Sequence, residues 1–420
     1  MRYRTSYKWI AWLSAIPLLV LSVHAPPPAA GADTEQGAGG TLLIGIGVQI
    51  EAYGAVPSKL VPGATPVPTT NGLDYNNRQL FNEHSRLIRL LAAVVEKHGG
   101  GLTVQAQTPF TQVAADTGST IFLDLQAHGH EIGLHFSEDA HLGANSESLP
   151  VNTWAEVMQA EIDVLEQTGV TTPIRYWSGG NLYPGILKAA NRVGLDVMSD
   201  YRHPRTGQTS ALVLGVNPWR PSAGPGGKGL AAFARNDPDG KVVYLPDGKY
   251  RRVDYVSRRA QVGDNAYFQY LTGELQNSLN HAGAGKVNVF HVTIRPGEFV
   301  GARDRAYALL DQWLTTVVDP LVKSGKLRWA TFSEMADAYR AWELDNPNVD
   351  PRKDDVPGSQ EPSVNPNRVY EIGPQFTRYY QRVAGAKVLG PAIGPVLGKA
   401  QYFEKGRLED HSAEFEGEWA

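Results

Sequence analysis

From Thr41 to about Leu344 the chain alternates short apolar runs with longer stretches whose apolar residues recur at helical spacing. "TLLIGIGVQI" (41–50) is nearly all apolar, as a buried strand requires. In "RQLFNEHSRLIRLLAAVVEKHGG" (78–100), Phe81, Leu87, Ile88, Leu91, Val94 and Val95 share one helical face, and glycines stop the helix. "LTVQAQ" (102–107) alternates cleanly and predicts a strand. "TWAEVMQAEIDVLEQTG" (153–169) predicts a helix with Thr153 and Glu156 as its capping box. Strand "IRYW" (174–177), helix "PGILKAANRVG" (184–194) and strand "LDVMS" (195–199) continue the series. Strand "KVNVF" (286–290), helix 305–325, strand "LRWAT" (327–331) and helix 333–344 close it.

Repeated strand–helix pairs over roughly three hundred residues predict an α/β barrel or a doubly wound sheet. In a barrel the reactive residues sit at the carboxyl ends of the strands. The interval from about 201 to 265, richer in Gly, Pro and Arg, reads as an elaborated loop region over one face. Residues 345–367 are rich in proline and charge and predict a linker. Residues 368–420 turn aromatic and glycine-rich again and predict a small second unit.

The ends and the composition set the setting. Arg2, Arg4 and Lys8 precede the apolar run 9–23, and "HAPPPAAGAD" follows it. That order predicts a secretory signal peptide over 1–32, cleaved near Ala30 or Ala32, with an uncleaved anchor as the other outcome. The expected location is therefore outside the cytoplasm, secreted or held at the cell envelope. There is no cysteine, so stability has to come from a large core without disulfides. A formal net charge of −4 offers no basis for binding nucleic acid.

The candidate chemistry gathers where the histidines do. Of 11 histidines, His128, His130, His135 and His141 fall within "HGHEIGLHFSEDAH" (128–141). On spacing alone, His135 and His141 could share an ion or could be solvated loop residues.

"DLQAHGHEIGLHF" (124–136) resembles the second motif of the polysaccharide deacetylase family, the NodB-homology domain of carbohydrate esterase family 4. The resemblance implies a distorted (β/α)7-type barrel over 41–344 and a divalent metal, with zinc expected. It gives His135 and His141 as metal ligands, two residues further apart than the family's usual spacing, and leaves His128 and His130 structural. "TLLIGIGVQIEAYG" (41–54) stands where the family carries an acidic motif. Glu51 becomes the third metal ligand or the base, while Gln49 occupies the usual place of the acidic residue that serves as general base, and cannot take a proton.

"TPIRYWSGGNLYPG" (172–185) resembles the third motif, which gives Arg175 the task of orienting a catalytic carboxylate. Asp200, after the next strand, is placed to replace the missing acid or to contact substrate. "KVNVFHVTIRPGEF" (286–299) resembles the last motif, with His291 as general acid to the leaving amine. In "NPWRPS" (217–222), Trp219 and Arg220 are candidates for stacking on and hydrogen-bonding to a sugar, and loop packing is the other reading of Trp219. "VLGPAIGP" and "QYFEKGRLEDH" resemble LGFP-like repeats, which implies attachment to a cell envelope or glycan. Three functions follow as expectations: a metal-dependent deacetylase of a cell-envelope or extracellular polysaccharide, a glycan-binding relative without turnover, or an amidase-type hydrolase on the same scaffold.

Overall fold

The computed structural model describes residues 40–409, apart from 66–71, 204–208, 227–228, 255–263, 297–302, 348, 354, 356–370, 393–395, 397–399 and 404–405. The expected signal peptide lies outside the described residues. No helix among the described residues is long and apolar enough to cross a membrane.

β1 (Leu42–Gln49) shows why the sequence folds as it does. Successive side chains point to opposite faces of a strand. Leu42, Ile44, Ile46 and Val48 pack outward among the helices, and Leu43, Gly45, Gly47 and Gln49 take the alternate face. A Cβ on Gly45 would come within 3.0 Å of Met335 and Phe332, and one on Gly47 within 3.0 Å of Phe332. The two glycines therefore make room for the helix that fills the inner face.

Eight strands follow one path: β6 (Val243–Tyr244), β5 (Val197–Ser199), β4 (Tyr176–Gly179), β3 (Glu131–Phe136), β2 (Leu102–Ala106), β1, β8 (Asn288–Ile294) and β7 (Val253–Asp254). Every pairing along it is parallel. β9 (Leu327–Trp329) pairs with β1 at Leu42–Ile44, while β2 pairs with β1 from Ile46 to Gln49. The sheet is curled, because the Thr293 hydroxyl of β8 donates at 2.9 Å to Asp200, which follows β5. Those strands lie on opposite sides of β1 in the strand order. Inside the curl Leu43, Tyr176, Val197, Val243, Leu245 and Val289 close on Phe332, Met335 and Tyr339. This is the distorted β/α barrel expected from the sequence.

The helices cover the outer face. They are α1 (Arg78–Lys97), α2 (Phe110–Thr117), α3 (Ile121–Ala127), α4 (Glu138–Leu142), α5 (Val151–Gln167), α6 (Ile186–Arg192), α7 (Leu230–Phe233), α8 (Asp264–Asn280), α9 (Arg303–Trp313) and α10 (Asp319–Lys323), whereas α11 (Phe332–Asp345) fills the inner face. α5 starts two residues before the expected capping box, at Val151, with Pro150 as its cap. The expected helix over 305–325 widens into a π-helical turn at Leu314–Val318. Pro320 accounts for that, since its ring crowds the carbonyl four residues back and it lacks an N–H. Within 201–265, expected as loop, the structure adds β6, β7 and the start of α8.

The first residues of the expected linker are packed into the barrel. The Arg352 guanidinium lies 3.8 Å over the Trp219 ring and donates to the carbonyls of Leu212, Leu214 and Ala234. Asp355, buried, pairs with Lys249 at 2.6 Å and accepts from the N–H groups of Val216 and Asn217. Beyond it follow α12 (Pro374–Arg382), α13 (Gly385–Val388) and the hairpin β10 (Ala400–Phe403)–β11 (Gly406–Glu409). There the buried Gln401 bonds to Glu371 and Gly373, and Tyr380 stacks on Phe403.

Candidate functional site

The carboxyl ends of β1, β3, β4, β5 and β8 open on a cleft of about 270 Å³, at the small end of the range for ligand sites. Gln49, Glu51, His135, Asn181, Asp200 and Arg295 are among its walls. A directed chain of hydrogen bonds runs along its floor. Arg295 donates from Nε to Glu51 Oε1 at 2.7 Å and from an Nη to Gln49 Oε1 at 3.2 Å. The Gln49 amide nitrogen lies 2.8 Å from His135 Nε2. His135 Nδ1 lies 2.7 Å from Ser178 Oγ, and that hydroxyl donates to Gln105 Oε1. The network assigns the tautomer: Nε2 accepts from Gln49 and Nδ1 carries the proton. Gln49, read from sequence as a lost acid, thus fixes the orientation of His135.

Glu51 Oε2 lies 3.5 Å from His135 Nε2. Burial on its own would raise the Glu51 carboxyl. His135 in its protonated form, together with the bond and charge of Arg295, outweighs it and brings the pKa down to about 2. Glu51 is a fixed anion and a weak base.

A second group lies deeper. Asp200, in the left-handed region at φ 64°, receives the Arg252 guanidinium at 2.9 Å. Asp247 Oδ1 is 3.3 Å from His291 Nε2. Burial pushes His291 down to about 4, only partly opposed by the Asp200 charge. Asp200 is held below the ordinary carboxylate range, because Arg252 and His291 more than offset the upward push of burial.

Of the sequence candidates, Glu51, His135 and Asp200 reach the cleft. The Glu51–His135–His141 metal group does not form. His141 belongs to α4 rather than to a widened loop, and the helix turns its ring into the core. There Nε2 bonds Gln107 at 2.8 Å, Nδ1 faces Glu161 at 3.4 Å, and Phe136 stacks on the ring. His291 was expected at a strand end, but β8 continues to Ile294 and leaves it mid-strand and fully buried. Arg175 is on the opposite rim, before β4, paired with Asp337 at 2.7 Å and Asp196 at 3.2 Å. It orients no carboxylate in the cleft. Trp219 is fully buried, donating to the Phe233 carbonyl at 2.7 Å, and offers no face to a sugar. Arg220 is held by Glu343 and lines a separate cavity of about 860 Å³ with Asn236 and Leu344. His130 is structural, as expected: Nδ1 accepts from Leu102 N–H at 2.9 Å, so Nε2 carries the proton that faces Glu96.

Asp200, Asp247 and His291 are the one group among the described residues whose ligand atoms lie within 4.8 Å of one another. The donor set suits a divalent ion in chemistry, but Arg252 already supplies the cation, 2.9 Å from Asp200. At the cleft Arg295 holds Glu51, and Gln49 holds the lone pair of His135 Nε2. The residues as arranged do not fit a hydrolytic metal.

Sequence reading missed Arg295, Asp247, Arg252, Glu138 and Asn181. The signal was available for two of them, since Asn181 follows the paired glycines of "SGGN" and Asp247 sits in the turn sequence "PDG".

No protein-family profile matches the chain, and no curated protein does. Solved structures do. A probable polysaccharide deacetylase from Pseudomonas aeruginosa PAO1 is 17% identical, with a TM-score of 0.47, over 73% of this chain and 93% of that one. Puue allantoinase is 16% identical at a TM-score of 0.46, over 73% and 92%. A carbohydrate esterase family 4 pseudoenzyme from Bacillus anthracis is 11% identical at 0.37, over 70% and 65%. The fold assignment rests on the strand order and the curl described above.

Proposed function

We propose that this chain is an extracytoplasmic glycan-binding protein, built on a barrel of the polysaccharide deacetylase kind, in which protein cations have replaced the hydrolytic metal. The observation that carries the reading is the pairing of two of the cleft's carboxylates with arginines: Glu51 with Arg295 and Asp200 with Arg252. The arrangement suits recognition, because fixed amides, carboxylates and guanidinium groups line a small polar cleft whose charges are mutually compensated. Export draws on the basic, apolar and small-residue order of the first 32 residues.

A second reading, a metal-dependent hydrolase releasing acetyl groups from a polysaccharide, draws on the Asp200–Asp247–His291 grouping. It requires Arg252 to give up its place. One experiment separates the two. The purified mature chain is analysed for bound metal, titrated with N-acetylated chitooligosaccharide and peptidoglycan fragments, and assayed for acetate release. Glycan binding with neither stoichiometric zinc nor acetate is expected. Stoichiometric metal with acetate release that disappears in His291→Ala would overturn binding-only in favour of the hydrolase. No binding to either glycan would overturn both.

A further inference from the structure

The wall of the cleft contributed by the β4 turn holds a polar group without a partner among the described residues. Asn181 is 8% exposed and lines the cleft, and its Oδ1 is buried without a hydrogen bond among the described residues. A buried amide left unpaired costs about 1–3 kcal/mol, so its retention calls for a partner from outside the chain.

The turn is built to aim it. Gly179 and Gly180 have φ of 94° and 75°, and a Cβ on Gly179 would come within 2.1 Å of the Phe136 carbonyl. On either side of Asn181, the N–H groups of Gly180 and Leu182 donate to the buried Glu138 carboxylate at 2.9 and 3.2 Å. Burial raises the Glu138 pKa, and these backbone bonds oppose it. Clamped at both neighbours, the backbone that carries Asn181 is fixed at the wall of the cleft.

We propose that Asn181 is the specificity-determining residue of this cleft, taking a hydrogen bond from a neutral N–H or O–H donor such as the acetamido group of an N-acetylated sugar, with Glu138 as its positioning residue. The inference rests on the glycan reading above and assigns its selectivity. A carboxamide offers an acceptor and two donors, which complements a neutral amide or hydroxyl. The carboxamide is itself uncharged, so it bonds a neutral donor without the added attraction for an ammonium that a carboxylate at the same place would exert.

The test is calorimetric titration with an N-acetylated chitooligosaccharide and with the same oligosaccharide deacetylated, alongside thermal unfolding. Asn181→Leu is expected to raise Kd for the acetylated form about tenfold and to erase the preference over the deacetylated form. Its unfolding temperature should be unchanged or higher, since no protein bond is lost. Glu138→Gln should weaken binding as well and lower the unfolding temperature. In the Asn181→Leu background it should lower the unfolding temperature again with no further loss of affinity. A wild-type Kd and preference in Asn181→Leu would overturn this inference and leave the glycan reading standing. A large loss of stability in Asn181→Leu would also overturn it, because the amide would then have a partner within the protein. If the wild-type chain takes neither oligosaccharide, the glycan reading fails and the ligand class proposed here fails with it.

Discussion

Two groups built from the same residue types stand at one rim of the barrel. In the outer one Arg295, Glu51 and His135 have side chains 15%, 28% and 7% exposed; in the inner one Arg252, Asp200, Asp247 and His291 are 4% exposed or less. The outer histidine is held by neutral partners, Gln49 and Ser178, in a chain in which each hydrogen has one acceptor. The inner group is shielded from bulk solvent, so a guanidinium is locked against a carboxylate and the imidazole is kept neutral by burial. Under the proposed function, the same chemistry serves recognition where solvent reaches it and architecture where solvent does not.

The largest effect expected is the one that would break this contrast. Arg252→Ala leaves Asp200 and Asp247 buried without their cation, and breaking a buried pair in this way costs about 3–5 kcal/mol. Arg295→Ala removes a partly solvated partner and should cost about 1 kcal/mol, while weakening glycan binding more than it weakens the fold. Denaturant unfolding of both variants is the measurement. Equal costs would mean that the inner group is no more structural than the outer one.

The next effect is a pH dependence. His291 has its folded pKa lowered to about 4 by burial, against 6.5 ordinarily. Between those values the unfolded chain binds a proton that the folded chain refuses, so stability falls as pH drops from about 6.5 to about 4. His84, buried beneath Tyr75 and also lowered to about 4, adds to the same slope. Glu51 acts lower down: its stabilisation is present above the ordinary carboxylate value and is lost as pH falls from about 4.5 towards 2. His291→Leu should flatten the upper slope, and Glu51→Gln only the lower one. A stability profile from pH 7 to pH 3 that His291→Leu leaves unchanged would place the imidazole proton elsewhere.

How much of this was legible in the sequence depended on distance along the chain. The apolar run of β1, the alternation of β2, the helical face of α1 and the order of strands and helices are local patterns; they predicted an α/β barrel or a doubly wound sheet, and the family resemblance narrowed this to the barrel. His130 was read correctly as structural. His141 was misplaced because "SEDAHLG" is short and polar and reads as loop. Glu138 and Asp139 in the first turn and Gly143 just past the last are the local signals for α4. Trp219 was read either as a sugar-stacking ring or as packing for its own loop, and the fold decides for packing by bringing Tyr244 and Arg352 against it. Arg252 and Asp247 could not be paired with Asp200 from sequence, since the pairing exists only once the sheet curls.

The smallest effect expected concerns the far rim, and it decides whether a motif or a position assigns a role. By resemblance, Arg175 orients a catalytic carboxylate. In the structure its guanidinium meets Asp196 and Asp337, beside Arg340, at the end of the barrel away from the cleft. Such half-exposed ion pairs contribute about 0–1 kcal/mol. Arg175→Ala should therefore lower stability by no more than about 1 kcal/mol and leave the Kd for N-acetylated chitooligosaccharide unchanged. The resemblance requires the opposite, a functional loss well beyond any loss of stability. A tenfold weaker Kd in this variant, with its unfolding curve intact, would show that the two rims are coupled and that the motif described Arg175 better than its surroundings do.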